Sequence, residues 1–178
     1  MLTVRKVTSE LDDYPQLMAL YESSFPETER IGMDTLLKKS GLGTADFSAY
    51  YDKDRFVGFT FASVSDEAVF LVYLAVEADL RSKGYGGMIL KQIAEAHFPK
   101  GIMLNIEPLD KEAENYEQRL KRLRFYTDNG FRESGYQLTD HGDQYSILTT
   151  IIPFSESAYR SAVDRLISGS YPYTVEKL

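Results

Sequence analysis

The alternation of apolar and polar positions predicts a chain of mixed strands and helices. Residues 68 to 76 form a nearly continuous apolar run, which is typical of a buried strand. Apolar residues recur every three or four positions over 13 to 24 and again over 89 to 97, which predicts two helices with one buried face each. Both kinds of element therefore belong to one α/β fold.

The remaining segments complete the sheet and add further helices. Strands are also predicted at residues 2–7, 47–51, 56–64, 102–107, 131–138 and 144–152, and helices at 33–39, at 111–128 and after Pro153. Short turns favour antiparallel pairing of successive strands, whereas the helix between 68–76 and 102–107 favours a parallel pair. The first strand is expected at a sheet edge.

The connection after strand 68–76 is the most informative segment. It contains, in order, Arg81, Ser82, Lys83, Gly84, Tyr85, Gly86 and Gly87. Glycines allow a tight turn with exposed N–H groups, and a helix start favours an anion, so the turn is predicted to hold a phosphate. The alternative is a simple tight connection. Its spacing matches neither the dinucleotide pattern G-x-G-x-x-G nor the phosphate loop G-x-x-x-x-G-K-[ST].

Composition narrows the possible partners. The chain has 178 residues, the length of one domain, and 20 Lys and Arg against 27 Asp and Glu give a net charge of −7. This balance argues against nucleic-acid binding and favours an amine or another cation as the guest. The chain has no cysteine and only 2 histidines, so no metal site is expected. Neither a secretory signal nor a membrane-spanning run is evident, so we expect a cytoplasmic protein that does not bind membranes.

Two motifs resemble one known family. The residues Arg81-x-x-Gly84-x-Gly86 resemble the acetyl-coenzyme A signature of the GNAT N-acetyltransferases, and residues 125 to 131, Phe-Tyr-Thr-Asp-Asn-Gly-Phe, resemble the family's F-Y-x-x-x-G-F segment. The resemblance covers residues 1–152 and implies a mostly antiparallel seven-stranded sheet, splayed between its fourth and fifth strands, with helices on both faces. Residues 153–178 are expected to form a helical extension, packed on the same domain or at a homodimer interface.

The resemblance also implies how acetyl-coenzyme A binds as cosubstrate. Backbone N–H groups of the turn, from Arg81 onward, would hold the pyrophosphate. The backbone of Leu74, Ala75 and Val76 would pair with the pantetheine arm, and an N–H near Ala75 or Val76 would face the thioester carbonyl.

Two side chains are candidates for proton transfer. Tyr126 corresponds to the family's general acid, which protonates the departing thiolate; the alternative is a core aromatic. Glu107, after strand 102–107, is a candidate base for the ammonium, with Glu77 as competitor. Anchoring of the substrate is an equal alternative for Glu107, and a solvated carboxylate is the commoner case.

Two charged segments have open roles. Arg119, Lys121, Arg122 and Arg124 either face the cofactor's phosphates or form a solvated helix face paired with Glu114 and Glu117. Residues 25–30 lie in the region that shapes the acceptor pocket in GNAT enzymes, and their carboxylates either receive a cation or only aid solubility.

The reaction predicted from the resemblance is acetyl transfer to a primary amine of a small molecule or peptide. A non-catalytic module that binds acyl-coenzyme A and reports on it is the alternative outside enzymes, and transfer of a longer acyl group is a second enzyme reaction. The acceptor itself stays open, because one fold serves many substrates.

Overall fold

The computed structural model describes residues 1–167 and 172–178. The helices are α1 (Tyr14–Ser24), α2 (Met33–Gly41), α3 (Tyr85–His97), α4 (Tyr116–Asp128) and α5 (Glu156–Ile167). The strands are β1 (Thr3–Lys6), β2 (Ala45–Asp52), β3 (Arg55–Val64), β4 (Ala68–Val76), β5 (Gly101–Ile106), β6 (Arg132–Asp140), β7 (Asp143–Thr149) and β8 (Tyr173–Lys177). Short 3-10 helices lie at Glu27–Glu29 and Ala78–Leu80.

The strands form one mostly antiparallel sheet in the order β1-β2-β3-β4-β5-β7-β6-β8. The predicted α/β class is thus confirmed, with β1 at an edge. β4 and β5 are parallel, as the intervening α3 requires. Their pairing covers Ala68 to Phe70 of β4 and Gly101 to Met103 of β5. The end of β4 is therefore not paired with β5, which the predicted splay between the fourth and fifth strands demands.

Contacts divide the chain into two compact units. Unit 1 comprises Met1–Val64 and Leu71–Ala96, and unit 2 comprises Ser65–Phe70 and His97–Leu178. β4 contributes its first residues to unit 2 and its last residues to unit 1, so each unit has its own portion of the strand.

Aromatic side chains dominate the core of unit 1. Phe47 and Phe61 are fully buried, with ring centroids 5.4 Å apart in an edge-on arrangement. Tyr21 of α1 packs edge-on against Tyr73 of β4 at 5.1 Å. Each buried ring contributes about 2 kcal/mol through removal of apolar surface from water. The aromatic content of β2, β3 and β4 thus fixes α1 against this part of the sheet.

Unit 2 has a core in which α5 takes part. Tyr159 is fully buried, packs edge-on against Phe70 at 5.6 Å, and donates a hydrogen bond to the Asn105 side chain at 2.9 Å. Ala162 and Val163 are also buried. The apolar face of α5 is thus covered within the chain itself.

Two elements differ from the sequence-based expectation. Residues 111 to 115 were expected to begin α4, but they form turns instead, where the Asp110 carboxylate accepts a hydrogen bond from the Glu112 N–H at 2.9 Å. Such local side-chain bonds compete with helix formation. The structure also adds β8 to the seven expected strands, and β8 pairs with β6. With only Val175 buried in β8, its alternation is too short to signal a strand.

Candidate active site

The turn before α3 offers a row of hydrogen-bond donors in unit 1. Ser82 and Gly84 have φ angles of 60° and 85°, which curl the main chain. Within the described part of the chain, no group accepts a hydrogen bond from the N–H groups of residues 82 to 87. Residues 81 to 84 are exposed. Free N–H groups at the start of a helix form a cradle for an anion such as a phosphate.

The side chains of the turn fix its conformation. Arg81 Nε donates a hydrogen bond to the Val76 carbonyl at 3.0 Å, so this guanidinium ties the turn to the end of β4. The Tyr85 hydroxyl donates to the Asp52 carboxylate at 2.7 Å, and this bond raises the pKa of the Tyr85 phenol. Lys83 is exposed, which leaves its ammonium accessible to an anion.

The end of β4 is not paired with β5 on one side, and on its other side it is closely packed against β3. Leu74 is half-buried, whereas Ala75 and Val76 are buried. On the β3 side, a Cβ placed on Gly58 would lie 2.1 Å from the Ala75 carbonyl oxygen. A side chain at position 58 would displace the β4 backbone, so glycine is required for this approach.

Tyr126 lies in the last turn of α4, in unit 2. Its half-buried ring has centroid distances of 5.0 Å to Phe125 and 5.4 Å to Phe131. Burial raises the pKa of Tyr126 to about 12, and the nearby charge of Arg122 lowers it. The phenol is therefore protonated at neutral pH. Among residues 1–167 and 172–178, no group forms a hydrogen bond with the Tyr126 hydroxyl.

Glu107 lies directly after β5 and is held by groups of unit 2. Arg119 Nη2 donates to this carboxylate at 3.0 Å, Arg122 Nη1 at 3.1 Å and Asn115 Nδ2 at 3.3 Å. Arg119 also donates to the Pro108 carbonyl at 2.9 Å. One carboxylate thus faces two guanidinium groups through charge-assisted bonds. This arrangement favours a role for Glu107 as an anchor of α4.

The ion pairs of α4 differ from one sequence-based interpretation. Arg119 and Arg122 lie three residues apart on one helix face, and both pair with Glu107 rather than with Glu114 or Glu117. Pairing within the helix was the only arrangement that spacing suggested. The Glu107 carboxylate at the end of β5 comes close to α4 only in the folded chain. Spacing within the helix therefore does not signal these ion pairs.

Two residues of unit 1, Tyr73 and Arg30, are not singled out by any sequence motif. The Tyr73 hydroxyl donates to the Glu29 carbonyl at 2.7 Å and accepts from the Ile31 N–H at 2.9 Å. Between these residues, Arg30 has a buried Nε without a hydrogen-bond partner, while Glu27 and Glu29 are exposed. A hydroxyl-bearing residue inside an otherwise apolar strand was the available signal for Tyr73. No sequence signal set Arg30 apart from the other residues of the segment 25–30.

No helix in residues 1–167 and 172–178 has the length and apolar character needed to cross a membrane. In the same described residues, no group of three or more His, Asp or Glu side chains is arranged to hold a metal ion.

Solved structures share this fold. A GNAT-family protein of Bacteroides thetaiotaomicron aligns with a TM-score of 0.73 and 23% identity over 95% of this chain and 98% of its own. A GNAT acetyltransferase of Elizabethkingia anophelis, solved with acetyl-CoA bound, aligns with a TM-score of 0.57 and 16% identity over 85% of this chain and 98% of its own. At these identities the likeness concerns the fold.

Sequence comparison identifies the family. Bacillus subtilis (strain 168) YjbC, which carries an acetyltransferase name, is 35% identical over 69 residues, which is 39% of this chain and 33% of that protein. The chain thus matches a third of that relative's length. The family model described as an acetyltransferase (GNAT) domain matches residues 43–133, just over half of the 178 residues. These residues include the turn before α3, Glu107 and Tyr126, and the chain belongs to the GNAT family of acyltransferases, as the two motifs predicted.

Proposed function

We propose that this chain transfers an acetyl group from acetyl-coenzyme A directly to a primary amine of a small molecule or peptide. The observation that carries the proposal is the run of N–H groups at residues 82 to 87 that have no acceptor in the described part of the chain. A pyrophosphate supplies the acceptors that these donors lack. The end of β4, which is not paired with β5, can accept a peptide-like arm in place of a strand. Both features suit coenzyme A.

Each part of the turn has a distinct role in this proposal. The N–H groups of Ser82, Gly84 and Gly86 bind the pyrophosphate, supported by Lys83, Tyr85 and Gly87 of the same turn. Arg81 holds the turn against β4 through its bond to the Val76 carbonyl. The backbone of Leu74, Ala75 and Val76 binds the pantetheine arm, and an N–H at Ala75 or Val76 donates to the thioester carbonyl oxygen.

Tyr126 is proposed to donate the proton that the departing thiolate needs. Acetyl-coenzyme A supplies an activated acyl group, and the thiolate it loses is neutralised by an acid. The pKa of Tyr126, raised to about 12 by burial, keeps the phenol protonated at neutral pH. Its hydroxyl has no hydrogen-bond partner among the described residues, so it does not have to break a bond before it donates.

Glu107 is assigned the anchoring role rather than that of the base. Both oxygens of this carboxylate are already engaged in ion pairs with Arg119 and Arg122. As an anchor, Glu107 fixes the face of α4 that carries Arg122, one helical turn before Tyr126. Removal of its charge should therefore affect stability more than turnover.

Binding and transfer are tested separately. Titration calorimetry with acetyl-coenzyme A should give saturable binding, and none at millimolar ligand would contradict the proposed cosubstrate. Release of free coenzyme A is then measured across a panel of primary amines. Saturable binding without amine-dependent release would indicate a binding module instead of an enzyme.

A further inference from the structure

An orphaned guanidinium distinguishes the segment between α1 and α2. Arg30 Nε is buried without a hydrogen-bond partner, and the Arg30 side chain forms no ion pair with any described residue. The Glu27 and Glu29 side chains, although close in sequence, are exposed to solvent. Buried donors are almost always paired, and a bound ligand can complete one that has no partner among the described residues.

The backbone around Arg30 is held in place from both sides. The Tyr73 hydroxyl donates to the Glu29 carbonyl and accepts from the Ile31 N–H, at 2.7 and 2.9 Å. The Tyr21 hydroxyl donates to the Ile31 carbonyl at 2.9 Å. Arg30 itself is extended, with φ −87° and ψ 125°. Its side chain therefore starts from a fixed point, which reduces the conformational entropy lost when a ligand binds.

Two aromatic rings and a second polar atom, unpaired among the described residues, belong to the same part of unit 1. The rings of Phe25 and Tyr73 have centroids 4.7 Å apart, and the Arg30 charge is close enough to Tyr21 to lower the pKa of its phenol, against the larger effect of burial. Ser24 Oγ is buried without a partner in the same segment. By helical spacing, Ser24 shares the buried face of α1 with Tyr21. A guanidinium and a hydroxyl, both donors, thus await an acceptor.

We propose that Arg30 binds a carboxylate of the acceptor amine, so that the enzyme selects amines that also carry an acid group. This inference rests on the proposed acetyl transfer. A guanidinium fork matches the two oxygens of a carboxylate. A phosphate dianion would need more cations than this single side chain, in a protein with a net charge of −7.

The position of Tyr73 connects this site to the transfer step. Tyr73 and Ala75 lie two residues apart on β4, so their side chains share one face of the strand, about 7 Å apart. Ala75 belongs to the proposed thioester site, and Tyr73 holds the backbone on both sides of Arg30. Tyr73 thus links the backbone around Arg30 to the strand that carries the proposed thioester site.

A binding experiment tests the inference independently of catalysis. In the full chain, the Arg30 Nε–H resonance is identified by its loss in Arg30→Gln. It is then followed by NMR during titration with N-acetylglycine, which has a carboxylate, and with the neutral N-acetylglycinamide. A saturable shift with the acid alone supports the site. No shift, or equal shifts with both compounds, overturns it, whatever the outcome of the acetyl-transfer assays.

A kinetic experiment defines the substrate class. β-Alanine is compared with β-alaninamide, and the dipeptide Gly-Asp with Gly-Asn, as acceptors. The kcat/KM ratio of acid to amide should exceed about tenfold in one pair, the factor that one charge-assisted hydrogen bond supplies. Selectivity in the first pair identifies a free amino acid as the acceptor class. Selectivity in the dipeptides alone identifies an acidic peptide as the acceptor class. A ratio near unity in both overturns the inference.

Variants separate recognition from folding. Arg30→Gln should abolish the acid-to-amide selectivity, and Arg30→Lys, which keeps the charge but not the fork, should retain part of it. Arg132→Gln, at an exposed position on β6, is the matched control and should keep the full ratio. Unchanged affinity for acetyl-coenzyme A confirms that Arg30→Gln is folded. Full selectivity in a folded Arg30→Gln protein contradicts the assignment.

Discussion

Glu107 and Arg30 are both partly buried charged residues, but their surroundings are opposite. Glu107 accepts hydrogen bonds from two arginines and an asparagine of unit 2. Arg30 of unit 1 has a buried Nε without a partner among residues 1–167 and 172–178, and a backbone fixed by Tyr73 on both sides. A charge that the fold already satisfies supports structure, whereas an unsatisfied charge on a rigid backbone is available to a ligand. Residue type alone suggests a functional role for Glu107, because a carboxylate after a strand resembles a catalytic base. The contacts instead favour a structural role for Glu107 and a ligand-binding role for Arg30.

The largest expected effect concerns turnover and tests whether Glu107 is only an anchor. Tyr126→Phe removes the proposed acid and should lower kcat about 100-fold, with little change in acetyl-coenzyme A affinity. Glu107→Gln should lower kcat less than about tenfold, because a positioning residue acts indirectly. Steady-state kinetics at neutral pH measure both, with Tyr116→Phe of the same helix as control. A larger loss in Glu107→Gln than in Tyr126→Phe would restore Glu107 as the base.

Loss of the Glu107 charge should lower the stability of the fold more than loss of the Arg30 charge. Glu107→Gln leaves two guanidinium groups without their counter-ion and should lower the free energy of unfolding by about 2 kcal/mol. Arg30→Gln removes a cation that has no partner and should leave this free energy unchanged within about 0.5 kcal/mol. Urea unfolding followed by circular dichroism compares the variants. A comparable loss in Arg30→Gln would mean that Arg30 is a structural residue.

Tyr73→Phe should weaken the Arg30 site without removing its charge. The change deletes the hydroxyl that holds the Glu29 carbonyl and the Ile31 N–H, so Arg30 gains conformational freedom. We expect the acid-to-amide ratio of kcat/KM to fall about threefold, the equivalent of part of one hydrogen bond. Combined with Arg30→Gln, the substitution should add no further loss of selectivity. An additive effect would show that Tyr73 acts on the acceptor independently of Arg30.

The smallest effect is the alkaline titration of Tyr126. A folded-state pKa raised from 10.0 to about 12 means that unfolded Tyr126 ionises first. Its contribution to stability is complete below pH 10 and is lost as the pH rises toward 12. Arg122→Gln should raise this pKa further, and Glu107→Gln, which frees the charge of Arg122, should lower it. The tyrosinate absorbance of each variant, after subtraction of the Tyr126→Phe titration, gives the order of the Tyr126 pKa values. Identical titrations would mean that Glu107 neutralises Arg122 fully.

The parts of the fold with strong periodicity were predictable. β4 was located at its observed bounds and α1 to within one residue, because a long apolar run and a regular helical stripe dominate these segments. The start of α4 was placed five residues early, since the charged residues 111 to 115 carry no apolar period. β8 was missed because a single buried residue cannot establish an alternation. Local pattern specifies an element only where burial imposes a repeated residue type.

The sequence by itself determined the family, the turn proposed to bind a phosphate and the candidate acid, because glycine spacing and the segment around Tyr126 are local and need no partner. Only the tertiary structure decided the state of the charges. Glu107 acquires Arg119 and Arg122 from α4, whereas Arg30 Nε has no partner among the described residues and Tyr73 of β4 holds the adjoining backbone. Spacing along the chain does not encode which charges fold together, and the free energy of a charged group depends on its neighbours and on burial.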